Sequence, residues 1–216
     1  MIIARIIAVL VGYVCGLFQS GYLYGKAHGI DIREYGSGNT GTTNTLRTLG
    51  WKAGVITFLG DCLKGVLAIL IIWLIYNQSY PDSVRVLMFY AGLGAVFGHN
   101  FPFFMKFQGG KGIATTAGVA LAICPQVAPV CIIVFAVTVL VSRYVSLASI
   151  LMVLAFLIQV LVFNYFGWLL LPQTAVLEFD ILTVVFSVMA IARHHANIKR
   201  LIHGTENRFG KKKEEK

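Results

Sequence analysis

The sequence predicts an all-α integral membrane protein, a polytopic bundle of about seven transmembrane helices. Three observations carry that prediction. Of the 216 residues, 57% are hydrophobic and only 12% charged, and the mean hydropathy is +0.78; soluble domains do not reach such values. Apolar runs long enough to cross a hydrocarbon layer recur along the whole chain. The basic residues gather in alternate connections between those runs, as the positive-inside rule requires.

The first run, 2–24, reaches across a bilayer at about 1.5 Å per residue. No small-residue cleavage site follows its apolar start, so it reads as a span and not as a removed signal peptide. The second, 51–76, is interrupted by Asp61 and Lys64. A shorter run covers 84–97. Runs 113–124 and 127–141 flank Pro125, and 145–171 and 177–192 complete the set. A turn at Pro125 makes seven crossings and a kink makes six. Charge favours seven: with connections 26–52, 98–112, 142–144 and 193–216 inside, every Lys and Arg except Arg5, Lys64 and Arg85 lies on the inner side. The expected topology is therefore N-terminus outside and C-terminus cytoplasmic. Run 113–124 is short, as expected of a half-inserted helix beside a cavity. Glycine pairs at helical spacing, Gly12/Gly16 and Gly94/Gly98 among them, are explained by close helix packing in lipid. Residues 1–210 read as one domain and 211–216 as a charged cytoplasmic tail.

The net charge of +9 does not point to nucleic acid, because most basic residues border apolar runs. Cys15, Cys62, Cys124 and Cys131 lack metal-type spacing and read as small buried hydrophobes. No metal and no cofactor is expected.

Three polar clusters interrupt the apolar pattern. Gly36-Ser37-Gly38-Asn39-Thr40-Gly41-Thr42-Thr43-Asn44, followed by Arg47, formally fits a dinucleotide fingerprint, but no βαβ unit surrounds it. Its N–H groups and hydroxyls, before a helix starting near Thr42 or Thr43, suit an anion. The second cluster joins Gly98-His99-Asn100-Phe101-Pro102 to Gly109-Gly110-Lys111-Gly112. It is not a nucleotide P-loop, since Lys111 precedes glycine; its glycines admit an anion to the backbone and Lys111 adds a charge. The third is Arg193-His194-His195-Ala196-Asn197-Ile198-Lys199-Arg200, ending in Gly204-Thr205-Glu206. On a helix Arg193, Asn197 and Arg200 share a face. A basic juxtamembrane helix on anionic lipid is the alternative reading there. A smaller break, Ser142-Arg143-Tyr144-Val145-Ser146, falls on the same side. Asp61 and Lys64 sit three apart within a span and can pair; such intramembrane charges are functional or site-supporting candidates.

Taken together, these motifs resemble the bacterial PlsY-type acyl-phosphate:glycerol-3-phosphate acyltransferases over nearly the whole chain. The resemblance rests on residues 36–44, on 98–102 with Gly-Gly-Lys-Gly-Ile-Ala-Thr to Thr115, and on 193–206, with Asp61-Cys62-Leu63-Lys64-Gly65 and Arg143-Tyr144-Val145-Ser146-Leu147 in support. It departs where the family usually has Gly-Ser-Ile-Pro and this chain has Gly16-Leu17-Phe18-Gln19, and where Thr42 replaces a frequent alanine.

The resemblance implies transfer of a fatty acyl group from acyl phosphate to the 1-hydroxyl of glycerol 3-phosphate, giving lysophosphatidic acid and phosphate in phospholipid biosynthesis. It places the enzyme in the bacterial cytoplasmic membrane, as a multi-pass protein with a cytoplasmic-side active site. The resemblance also implies that the donor is not a thioester; in agreement, no histidine has aspartate five positions later. The expected catalytic set is Ser37, Asn39, Lys111, His194 and Asn197. Expected binding residues are Thr43, Asn44, Arg47, His99, Asn100, Gly109, Gly110, Gly112, Thr115, Ser142, Arg143, Ser146, Arg193, Arg200 and Glu206. Lys111, the N–H groups of Gly109–Gly112 and Arg47 would hold phosphate, while Ser37, Asn39, Thr43 and Asn44 position the donor or its oxyanion. Ser142, Arg143, His194, Asn197 and Arg200 would hold the acceptor. His194 is the candidate base, with the departing phosphate as the alternative. The partners are the two substrates and membrane lipid, and the chain reads as a monomer. A carrier of a phosphorylated solute is the competing function, suggested by Asp61, Lys64 and the short run at 113–124.

Overall fold

A computed structural model describes residues 1–210; the expected tail, 211–216, lies outside the described residues. Ten α-helices follow in order: α1 (Ile2–Gly16), α2 (Ser20–Ala27), α3 (Thr42–Leu49), α4 (Trp51–Tyr76), α5 (Val84–Asn100), α6 (Ile113–Ile123), α7 (Ala128–Ser142), α8 (Val145–Tyr165), α9 (Gln173–Ala192) and α10 (His195–Ile202). Six segments are long and apolar enough to cross a membrane, and α6 is a shorter apolar helix.

The first span is broken. Residues 17–19 part α1 from α2, although hydropathy runs unbroken across 26 residues. The break needs no proline. Its exposed carbonyls are taken by polar side chains: Gln19 Nε2 donates to Gly16 O at 3.3 Å and Lys64 Nζ to Phe18 O at 2.5 Å. A broken helix at membrane depth survives only with such satisfaction.

Helices α1 and α5 form the tightest seam. A Cβ on Gly12 or Gly16 would meet the carbonyl oxygens of Ala91 or Ala95 at 2.0 and 2.1 Å, and one on Gly94 would meet Val9 O at 2.3 Å. Glycines at one-turn spacing on both helices thus let the two backbones touch. At the N-terminal end of this seam Arg5 binds Glu178 through two bonds of 2.5 and 2.6 Å, and Tyr90 donates to the same carboxylate at 2.8 Å, tying α1, α5 and α9. The core between α5, α8 and α9 is aromatic, with Phe89 4.8 Å from Phe179 and 5.5 Å from Phe186.

Pro125 lies in a 3-10 turn, Pro125–Val127, between α6 and α7, and because the start of α6 and the start of α8 both line one cleft, the chain reverses there and does not merely kink. Eleven residues of α6 rise about 16 Å, roughly half the hydrocarbon thickness. Its far end is completed by side chains: Arg85, at the start of α5, donates to Ile123 O at 3.0 Å and to Leu169 O in the α8–α9 connection. That connection begins earlier than the expected 145–171 span, because α8 stops at Tyr165 before the left-handed Gly167. Helix α7 packs on α8 and turns Ile132, Ile133, Val137, Leu140 and Val141 outward.

Candidate active site

The three polar clusters meet in one cleft of about 920 Å³, open mouth included. It is walled by Ser37, Asn39 and Gly41–Asn44 with Arg47 from the first cluster, by His99 and Lys111–Ala114 from the second, and by His194, Asn197, Arg200 and Glu206 from the third. Phe58 of α4, Phe135 of α7 and Val145 of α8 add an apolar wall, and Asp61 also lines the cleft.

Two helices begin at this cleft. Neither α3, entered from Gly41, nor α6, entered from Gly112, has a side-chain N-cap. Their first N–H groups and the positive ends of their dipoles are therefore available to an anion. Gly112 is held at φ +78, and a Cβ there would lie 2.8 Å from Asn100 Oδ1. The Thr42 hydroxyl, at the start of α3, has no hydrogen-bond partner among the described residues.

Several residues expected to touch substrate also build the loops. Asn44 donates to the carbonyls of Ile32 and Tyr35 at 3.1 and 3.0 Å and accepts from Ser37 N at 2.8 Å, stapling residues 32–37 against α3. Asn39 closes a local turn by accepting from Gly41 N at 2.9 Å. The N–H groups of Gly109 and Gly110 are spent on Asn100 O and His99 O, at 3.1 and 3.2 Å. These glycines permit the close contact with α5: a Cβ on Gly110 would meet His99 Nε2 at 2.0 Å. Arg193 straps the same loop, donating to Gly110 O at 2.8 Å and Gly109 O at 3.3 Å over the ring of Phe101. Asn100 and Thr115 are buried under the loop, outside the cleft wall. Ser142 and Arg143 are not brought to the cleft. The Ser142 hydroxyl accepts from Tyr144 N at 3.1 Å in the α7–α8 turn, and Arg143 is exposed at a left-handed φ of +60.

Glu206 organises the third cluster. One carboxylate oxygen accepts from Ser146 Oγ at 3.0 Å and Asn197 Nδ2 at 2.8 Å, and the other from Arg200 Nε at 2.7 Å. A carboxylate would repel an anionic substrate directly. Its contribution is to hold three neutral or cationic groups facing the cleft.

Lys64 donates to Phe18 O, to Asp61 Oδ1 at 3.0 Å and to His99 Nδ1 at 2.6 Å, and Ser20 Oγ donates to Asp61 Oδ1 at 2.9 Å. All three ammonium hydrogens are used, so Lys64 supports the site and leaves substrate charge to others. Because Nδ1 of His99 accepts, its proton sits on Nε2. His194 is set the other way: Nδ1 lies 2.8 Å from Ala190 O, which can only accept, so Nε2 carries the lone pair.

Burial shapes the charges. It pulls Lys111 down to about 8, with the nearby Glu206 carboxylate opposing and Arg200, Arg193 and Arg47 reinforcing. It pulls His194 down to about 4, so the imidazole is neutral at physiological pH. Ser37, Thr43, Arg47 and Lys111 line the cleft without a side-chain hydrogen bond among the described residues. Phe58, Phe135, Val145, Ile113 and Ala114 were not foreseen as wall residues, since nothing distinguishes them from other apolar residues on these helices.

One consequence is testable without substrate identity. In Gly110→Ala the new methyl meets a buried ring that Lys64 holds in place. Overpacking of this kind costs about 1–3 kcal/mol. The expected result is a lowered thermal unfolding temperature with membrane insertion retained, read on the purified protein in detergent.

A family model described as glycerol-3-phosphate acyltransferase matches residues 6–204. A glycerol-3-phosphate acyltransferase of Alkaliphilus metalliredigens is 43% identical over 209 residues, covering 96% of this chain and 97% of that protein. One from Clostridioides difficile is 39% identical, covering 99% of each chain. Among solved structures, the integral membrane glycerol 3-phosphate acyltransferase PlsY in its glycerol 3-phosphate form superposes with a TM-score of 0.82 at 37% identity, over 95% of this chain and 96% of that one. The same protein in its lysophosphatidic acid form gives 0.81 at 36% identity, over 95% of each chain.

Proposed function

This chain belongs to the glycerol-3-phosphate acyltransferase family and transfers an acyl group to glycerol 3-phosphate in phospholipid synthesis, and we propose that it takes that group from an acyl phosphate bound in the same cleft. The observation that carries this reading is the composition of the cleft wall. Two uncapped helix starts and the cations Lys111, Arg47 and Arg200 face an apolar wall of Phe58, Phe135 and Val145. A molecule with a phosphate at one end and a fatty tail at the other matches both.

In this reading Lys111, Arg47 and the first N–H groups of α6 hold the donor phosphate. Ser37, Thr43 and the first N–H groups of α3 face the acyl carbonyl, where they stabilise the developing oxyanion. Arg200, Asn197 and Ser146, aligned by Glu206, hold glycerol 3-phosphate with its 1-hydroxyl toward the carbonyl carbon. The hydroxyl oxygen attacks, its proton passes to His194 Nε2, and the carbonyl carbon–phosphate oxygen bond breaks with its electron pair leaving on phosphate. Phosphate is a good leaving group, so no covalent acyl-enzyme is required.

The same reading puts the cleft on the cytoplasmic side of a bacterial membrane, because the connections that form it carry most of the basic residues. The chain acts as one domain and as a monomer. The carrier alternative finds no support among the relatives.

Purified protein in detergent, given acyl phosphate and glycerol 3-phosphate, is expected to release inorganic phosphate and form a lysolipid in equal amounts. Release without the acceptor at the same rate would identify a phosphatase instead. Equal turnover with an acyl thioester in place of acyl phosphate would overturn the donor assignment.

A further inference from the structure

We propose that Gln19 is a positioning residue that joins the two loops on either side of the reacting centre, acting through Thr40 and the backbone of His99. The inference rests on the acyl-transfer reading above. Gln19 stands at the break between α1 and α2 and is 1% exposed. Its amide reaches three backbone or side-chain partners. Nε2 donates to Gly16 O at 3.3 Å and to His99 O at 3.1 Å, and Oε1 accepts from the Thr40 hydroxyl at 3.3 Å. The orientation of the amide is fixed by chemistry, since both Nε2 partners are carbonyl oxygens that can only accept.

Each far partner belongs to a different anion-facing loop. Thr40, 1% exposed, immediately precedes Gly41, from which α3 enters the cleft. His99 O also accepts Gly110 N, one residue before Lys111. One side chain behind the cleft therefore spans from the donor-carbonyl loop to the phosphate loop. Neither Gln19 nor Thr40 lines the cleft, so any effect on turnover must pass through the loops they hold. A proline at this place would break the helix equally well, but it carries no amide to make the link.

Four substitutions test the link in purified protein, with kcat and KM measured for both substrates alongside thermal unfolding. Gln19→Leu keeps the volume and loses all three bonds. Gln19→Pro keeps the break and loses the same bonds. Thr40→Val removes only the hydroxyl, and Thr40→Ser restores it. Displacing reacting groups by even an ångström is costly, so Gln19→Leu and Gln19→Pro are expected to lower kcat/KM for both substrates by about 30-fold. Thr40→Val is expected to lower it about fivefold and Thr40→Ser to restore it. The double variant Gln19→Leu/Thr40→Val should be no worse than Gln19→Leu alone, because both remove one connection. A purely structural role would instead lower the unfolding temperature and leave KM unchanged. Wild-type kinetics in Thr40→Val, additive losses in the double variant, or full activity of Gln19→Pro would each overturn the proposal. Should Gln19→Leu not fold, the Thr40→Val and Thr40→Ser pair decides alone. If the wild-type protein itself fails to transfer acyl groups, the functional reading fails; if it turns over and the variants match it, only the link fails.

Discussion

Replacing Lys111 by alanine is expected to lower kcat/KM by about two orders of magnitude while the protein still folds and inserts. The size follows from the surroundings. A hydrogen bond to a charged group contributes about 1.5–3 kcal/mol, and one in a water-poor cleft lies at the upper end. Lys111 makes no hydrogen bond from its side chain among the described residues, so its removal leaves no buried partner behind there and the fold has little to lose. Its pKa is pulled down to about 8 by burial, which gives the prediction a second arm. The ammonium is present below that pH and lost above it, so kcat/KM of the wild-type enzyme should fall as pH rises through about 8. The kcat profile should fall later, because a bound phosphate dianion favours the ammonium and raises its pKa in the complex. Lys111→Arg keeps the charge at all accessible pH and should retain part of the activity with the alkaline limb moved up. An alkaline limb that stays in place in Lys111→Arg would assign it to another group, and near-normal activity in Lys111→Ala would remove this side chain from phosphate binding.

Much of this arrangement is visible in the amino-acid order, and what is hidden is hidden for identifiable reasons. The apolar runs and the basic connections mark the helices, because lipid forces every backbone group into helix and leaves hydropathy as a direct signal. The break at residues 17–19 gives no such signal, since Leu17 and Phe18 continue the apolar run. Only Gln19 hints at it, and its meaning depends on carbonyls from α1 and α5 that the local sequence does not contain. The glycine-lysine loop reads as an anion cradle. Lys111 and Gly112 face the cleft, but Gly109 and Gly110 turn out to be spacers against His99. Glycine answers both needs, so its presence does not say which surface is approaching. Asn44 and Arg193 carry functional chemistry in the sequence and are used as staple and strap in the fold. Glu206, a lone acidic residue in a basic segment, likewise organises its neighbours, gathering Ser146, Asn197 and Arg200 onto one carboxylate. The apolar wall was illegible because Phe58 and Phe135 belong to helices where almost every residue is apolar.

His194→Ala is the second large expected loss, about 10²- to 10³-fold in kcat with a smaller change in KM, within the usual range for removing a general base. The geometry of the ring argues for the histidine over the leaving phosphate. Ala190 O fixes the proton on Nδ1, so the lone pair on Nε2 is already presented before substrate arrives. The ring is also held neutral, at about 4, by burial and by the charge of Lys111. Such a base is weak in the empty enzyme. Two phosphates entering the cleft offset Lys111 and raise the proton affinity of the ring at the moment of attack. The sign of the pH dependence follows: protonation below about 4 disables the base, so the acid limb of kcat/KM should lie well below neutrality and vanish in a variant without the ring. His194→Gln separates the remaining roles. Its amide can hold a substrate by hydrogen bonding but accepts no proton near neutral pH, so a positioning role predicts partial rescue of kcat and a base role predicts none. Near wild-type turnover in His194→Ala would transfer the proton to the departing phosphate and leave the enzyme the tasks of alignment and charge.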